Sequence, residues 1–106
     1  MAEKALFHQV HMKNGHKSWW DVVPAQSAKH AAACFQNNDI AVINVDCLGW
    51  CLVELAWDGN NVVFRANTDV CDCYFEPGVL GYDFLMNYFQ VAVGEIMESV
   101  RESYDY

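Results

Sequence analysis

Apolar and polar positions alternate with a period of two over much of this chain, the pattern of strands with one covered face. Between Leu6 and Val23 the alternation passes through Asn14-Gly15, a dipeptide that tolerates the positive φ of a tight hairpin turn. A two-residue loop centred there pairs Lys13 with His16 and Val10 with Trp19, and sets His8 across from Asp21. One face of the ribbon then carries Leu6, His8, Val10, Trp19, Asp21 and Val23. The other carries Phe7, Gln9, His11, Ser18, Trp20 and Val22. Both faces are partly apolar, so the pattern leaves open which one meets the core.

Ser27 is suited to cap a helix, because its hydroxyl can accept from free N–H groups of the following turn. The alanine-rich run Ala28 to Gln36 supplies that helix, and Asn37-Asn38 ends it. Ile40 to Val45 is nearly all apolar and β-branched, which predicts a strand covered on both faces. From Trp50 to Trp57 the alternation returns, with Cys51, Val53, Leu55 and Trp57 on one side. After Asp58-Gly59, any even-length loop puts Val62, Phe64 and Ala66 on that same side, since a one-residue slip would flip every side chain. A further short strand is expected at about Val70 to Phe75.

Pro77-Gly78 breaks the chain, and Asp83 is placed to cap a last helix of roughly 20 residues. On a wheel of 100° per residue, Leu85, Tyr88, Phe89, Ala92, Val93, Ile96, Met97, Val100 and Tyr104 fall in one half. So wide an arc predicts a helix set deep against a sheet. The fold class expected is α+β: an antiparallel-dominated sheet of five to six strands with two helices packed on it, in the order β-β-α-β-β-β(-β)-α. With 106 residues, the chain is read as one domain, 1–106.

Composition narrows the class. An apolar content of 54 % excludes a disordered segment. No apolar run approaches the ~20 residues of a membrane span. The first twelve residues lack the long apolar stretch of a secretory signal, so a cytoplasmic protein is expected. Five cysteines, an odd number, argue against a disulfide framework and for a reducing compartment.

Charge is unevenly spread. Residues 1–45 hold four lysines against three acids, a net of +1. Residues 46–106 hold eleven acids against Arg65 and Arg101, a net of −9. Such a surface serves solubility, or repels nucleic acid and anionic membrane while drawing basic partners.

The chemical constellations are few. Cys47, Cys51, Cys71 and Cys73 could make a tetrahedral thiolate zinc site, but C-x3-C with C-x-C is not the usual knuckle spacing. Cys51 also keeps phase with an apolar face, where cysteine acts as a small hydrophobe. His8 beside Asp21 could be an acid–base pair. No nucleophile is placed near it, and a cross-strand polar pair explains it as well. Phosphate loops, nucleophile elbows and metalloprotease motifs are missing from the sequence. No catalytic residue, metal or cofactor is assigned, and an enzyme is not expected.

The last helix carries a ridge of Glu95, Glu98, Glu102 and Asp105. At ~1.5 Å rise per residue this is about one charge per 5 Å, against one per ~1.7 Å in duplex DNA. Beside it stand Phe84, Tyr88 and Val91, of which Phe84 and Val91 fall outside the core arc. A compact, acidic, aromatic-rich domain without a catalytic motif resembles small inhibitor proteins of phages and mobile elements. That resemblance implies a protein-binding inhibitor, of anti-CRISPR or anti-restriction type, that blocks the nucleic-acid-binding surface of a host defence protein. Its partner would be a protein with a basic surface; direct nucleic-acid and membrane contacts are not expected, and a second copy is a further partner the patch allows. The alternative is a zinc-binding or redox-responsive module built on the four cysteines.

Overall fold

The chain opens with strand β1 (Ala2–Asn14) and returns antiparallel as β2 (Lys17–Pro24). The computed structural model describes residues 2–104. Its turn is centred one residue later than Asn14-Gly15. Asn14 pairs with Lys17, which leaves Gly15 and His16 as the loop. Gly15 has φ 60°, and among the described residues positive φ is confined to glycines. That is the type II′ pattern, which demands glycine only at the first central position. Every partner therefore moves by two. His8 faces Val23, and Asp21 faces Val10. A shift by an even number keeps each side chain on its face, so both expected face sets stand.

Helix α1 (Ala28–Ala33) begins as expected, with the Ser27 hydroxyl accepting from His30 N–H at 3.2 Å. It stops short of Gln36. The N–H groups of Cys34 and Phe35 turn to the carbonyls of Ala31 and Ala32, a tightened last turn. Asn37 then accepts from the N–H groups of both Asp39 and Ile40 and turns the chain.

The two strands expected at Ile40–Val45 and Trp50–Trp57 are one strand, β3 (Ala41–Trp57). It stays paired with β1 through two irregularities, where Leu48 and Ile43 are the extra residues. Gly49, at φ 82°, adjoins the first. This glycine serves a bulge, which leaves the strand continuous. The Ile40–Val45 run is also not covered on both sides. Val42 and Val45 are half-buried, while Ile43 and Asn44 are exposed.

Strands β4 (Val62–Asn67) and β5 (Asp72–Phe75) complete an antiparallel sheet in the order β2-β1-β3-β4-β5. The four-residue loop after Trp57 is even, and Leu55 faces Phe64 while Val53 faces Ala66, as expected. The sheet thus has five strands.

The expected single last helix is two, α2 (Tyr82–Tyr88) and α3 (Gln90–Tyr104). They meet at Phe89, whose φ −103° and ψ 32° leave the helical region. Its ring is buried against Phe64, with centroids 6.2 Å apart. The cap of α2 is Gly81 at φ 97°, and Asp83 lies in the first turn instead. Among the described residues three helices therefore replace the two expected, and the order is β-β-α-β-β-β-α-α.

Phe7 and Val10 point to opposite faces of β1, and each face has its own core. On one face Ala5, Phe7, Val53, Leu55, Val62 and Phe64 are buried under Leu85, Phe89, Ala92 and Val93 of α2 and α3. Trp57 is only half-buried at its margin. On the other face Val10, Met12, Val23 and Ala25 lie with Ala31 of α1. Two members of the wide apolar arc, Tyr88 and Met97, are exposed. The helix pair covers only one end of the sheet, so that arc outruns the surface available to it.

Candidate partner-binding surface

Helix α3 positions the acidic ridge. Val91, Glu95, Glu98 and Glu102 recur at spacings of four, three and four, which aligns them in one stripe along the axis. All four are exposed, Val91 at 73 %. Ala92 and Val93 hold the opposite side of the helix in the core. Asp105 lies outside the described residues. Tyr88 is exposed at the α2–α3 junction and stacks on Phe84, with centroids 5.5 Å apart and rings 15° from parallel. Phe84 itself is half-buried and packs against the larger core. Val91 and the three glutamates thus share one stripe of α3, while Tyr88, stacked on Phe84, is exposed on α2 just before the junction. Of the two bases in residues 46–106, Arg65 lies over the Tyr74 ring at 5.7 Å. Arg101 is on α3 itself, roughly 80° around the wheel from the stripe's Val91.

The other candidates are arranged differently. His8 is 2 % exposed, and its Nδ1 has no hydrogen-bond partner. Burial pushes its pKa below the ordinary imidazole value. A carboxylate partner would push it the other way. Asp21 instead accepts from the N–H of Val22 at 2.9 Å. The two are therefore no acid–base pair, because the later turn moved their register.

Cys47 lies across from His8 on one sheet face, while Cys51 lies across from Ala5 on the other. Cys71 and Cys73 do meet, with sulfurs 3.4 Å apart. Among the described residues no three histidine, cysteine or acidic side chains converge as a metal site would require.

Two features escaped the sequence reading. A cavity of about 540 Å³ opens between α1 and the segment Gly78–Phe84, lined among others by His30, Cys34, Leu80 and Asp83. The His30 Nδ1 is engaged by the Ser27 hydroxyl at 2.7 Å, and the Cys34 thiol donates to the His30 carbonyl at 3.3 Å. Burial raises the Cys34 pKa, which works against a thiolate there. No sequence signal points to this cavity, since its walls come from two distant segments. The second feature is an apolar stretch of open sheet, with Trp50 across from Leu6 and Leu52 across from Lys4. Trp50 is 61 % exposed. Its signal was legible: Trp50 and Leu52 are large apolar residues out of phase with the buried Cys51, Val53 and Leu55.

Comparison with protein-family models, curated proteins and solved structures finds no match. Among the described residues no helix is long and apolar enough to cross a membrane.

Proposed function

We propose that this chain is a small protein-binding inhibitor that occupies the basic, nucleic-acid-binding surface of a partner, such as a defence protein of a host cell. The observation that carries this reading is the α3 stripe. Val91 projects into solvent at its head, Glu95, Glu98 and Glu102 follow in line, and Tyr88 is exposed at the end of the preceding helix. Apolar groups rimmed by like charge suit a protein interface, where the apolar contacts supply affinity and the carboxylates set orientation and on-rate. A nucleic acid would be repelled by the same stripe.

The test compares the parent chain with the triple variant Glu95→Lys, Glu98→Lys, Glu102→Lys. All three side chains are exposed on α3, so the variant should keep the parent's circular dichroism and melting temperature. The parent, used as bait in the source cell's lysate, should capture a nucleic-acid-binding protein and inhibit its binding to nucleic acid. The variant should bind that protein more than tenfold more weakly at low salt, with a smaller difference at high salt, where exposed charges are screened. Equal binding by the variant, or a captured protein that still binds nucleic acid normally, would sink the reading.

A further inference from the structure

We infer that Cys71 and Cys73 form a reversible dithiol site, closed to an intramolecular disulfide by exchange with a small disulfide such as oxidised glutathione. Their sulfurs stand 3.4 Å apart, against about 2.05 Å in the bond. Residues two apart on extended chain direct their side chains to one face, and the two sulfurs already stand in contact. Cys71 sits at the foot of the loop between β4 and β5, and its backbone is held there. The Thr68 hydroxyl donates to the Cys71 carbonyl at 2.7 Å and accepts from the Cys71 N–H at 3.1 Å. Both thiols are half-buried at the margin of the larger core, on the free edge of the sheet. The other thiols are placed differently. Cys51 is buried and donates to the Gly49 carbonyl, Cys34 donates to His30, and Cys47 lies across from His8 on the opposite face from Cys51.

The fold also orders the steps, since Cys71 lies in the loop just before β5 while Cys73 lies within the strand. Burial and the hydrogen bond with Cys71 push the Cys73 thiol up to about 12, in keeping with Cys71 attacking first. The Cys71 thiolate attacks one sulfur of oxidised glutathione. That S–S bond breaks, and one glutathione leaves as its thiolate and takes up a proton. Cys73 then loses its proton to solvent, and its sulfur attacks the Cys71 sulfur of the mixed disulfide. The second glutathione leaves. Two protein thiols are oxidised to a disulfide, and one glutathione disulfide is reduced to two glutathiones. The second step is intramolecular and carries a high effective concentration.

The experiment equilibrates the full chain with mixtures of reduced and oxidised glutathione, quenches with acid and an alkylating agent, and maps the peptides by mass. The Cys71–Cys73 disulfide should accumulate, and reverse with dithiothreitol, at a glutathione ratio where adducts on Cys34 and Cys47 are at least tenfold scarcer. Adducts on Cys34 or Cys47 as abundant as the disulfide would overturn the site. Cys73→Ser should trap glutathione on Cys71; an unmodified Cys71 in that variant would overturn the order of attack. The mapping of the parent chain decides the existence of the site even if that variant does not fold.

Discussion

His8 is the residue whose environment departs furthest from what its type prefers. An imidazole 2 % exposed, with Nδ1 unpartnered, is tolerated in the folded state only while neutral. Its folded pKa is lowered by burial, whereas in the unfolded chain it titrates near 6.5. Between those two values the unfolded chain binds a proton that the folded chain refuses. The stabilising difference is therefore fully present above about pH 6.5 and is lost as the pH falls below it. We expect the urea midpoint to drop between pH 7.5 and pH 5.5 by more in the parent than in His8→Leu, which has no proton to gain and leaves no unpaired nitrogen. Equal drops in the two proteins would mean that His8 finds a partner or reaches solvent. Asp21 cannot provide that partner in the observed register.

At the scale of elements, Gly81 and Gly94 make a pair with opposite expectations. Gly81 caps α2 at φ 97°, and a Cβ there would stand 2.8 Å from the Pro24 ring. Gly81→Ala should cost at least the ~1–3 kcal/mol of a side chain forced into that region of backbone space, and it should loosen α2 from the end of β2. Gly94 lies inside α3 with nothing within 4 Å of its Cβ position. Gly94→Ala should stabilise by roughly 0.5–1 kcal/mol, the helix preference for alanine. Denaturant midpoints that move in the same direction for both would show that the α2 start is not a constrained junction. These elements also mark what could be read in advance. The faces of β1, β2, β3 and β4 followed from alternation, which an even shift in register does not disturb. The place of the first turn, the bulges at Ile43 and Leu48, and the break at Phe89 did not follow. The bulges and the break each depend on a contact with a distant segment: β1 holds β3 through its bulges, and Phe64 lies against Phe89 at the helix junction. Of the site, the glutamate stripe was legible because helical spacing alone aligns it. The contact of Phe84 with Tyr88 was legible in the same way, since the two stand four apart on one helix; the break at Phe89 that separates them from the ridge was not.

Over the whole molecule, the two cores on opposite sheet faces set both shape and cooperativity. The chain extends 57 × 24 × 20 Å with a radius of gyration of 15.5 Å. About 13 Å is usual for a compact domain of this length. The extra length belongs to the β2-β1-β3 ribbon, whose far end is held by a cluster of five buried residues, against fifteen in the larger core. Lys13, Lys17 and Lys29 lie toward that weaker end, and the acidic α3 sits on the stronger one. The proposed interface therefore rests on the part of the molecule with the deepest burial, where a preorganised surface loses least order on binding. Unequal cores predict unequal opening. In native-state hydrogen exchange, the amides of α1 and of β2 at Val23 should open at a lower free energy than those of Leu55 and Phe64. Leu55→Ala should lower global stability by about 2–5 kcal/mol and reduce protection throughout, because the larger core holds most of the buried side chains. Val23→Ala should strip protection from α1 and β2 while β4 keeps its own. If Val23→Ala instead lowers β4 protection as much as that of α1, the ribbon transmits the loss. The two clusters would then fold as one unit, and the α1 end would be no more mobile than the surface carrying Glu95, Glu98 and Glu102.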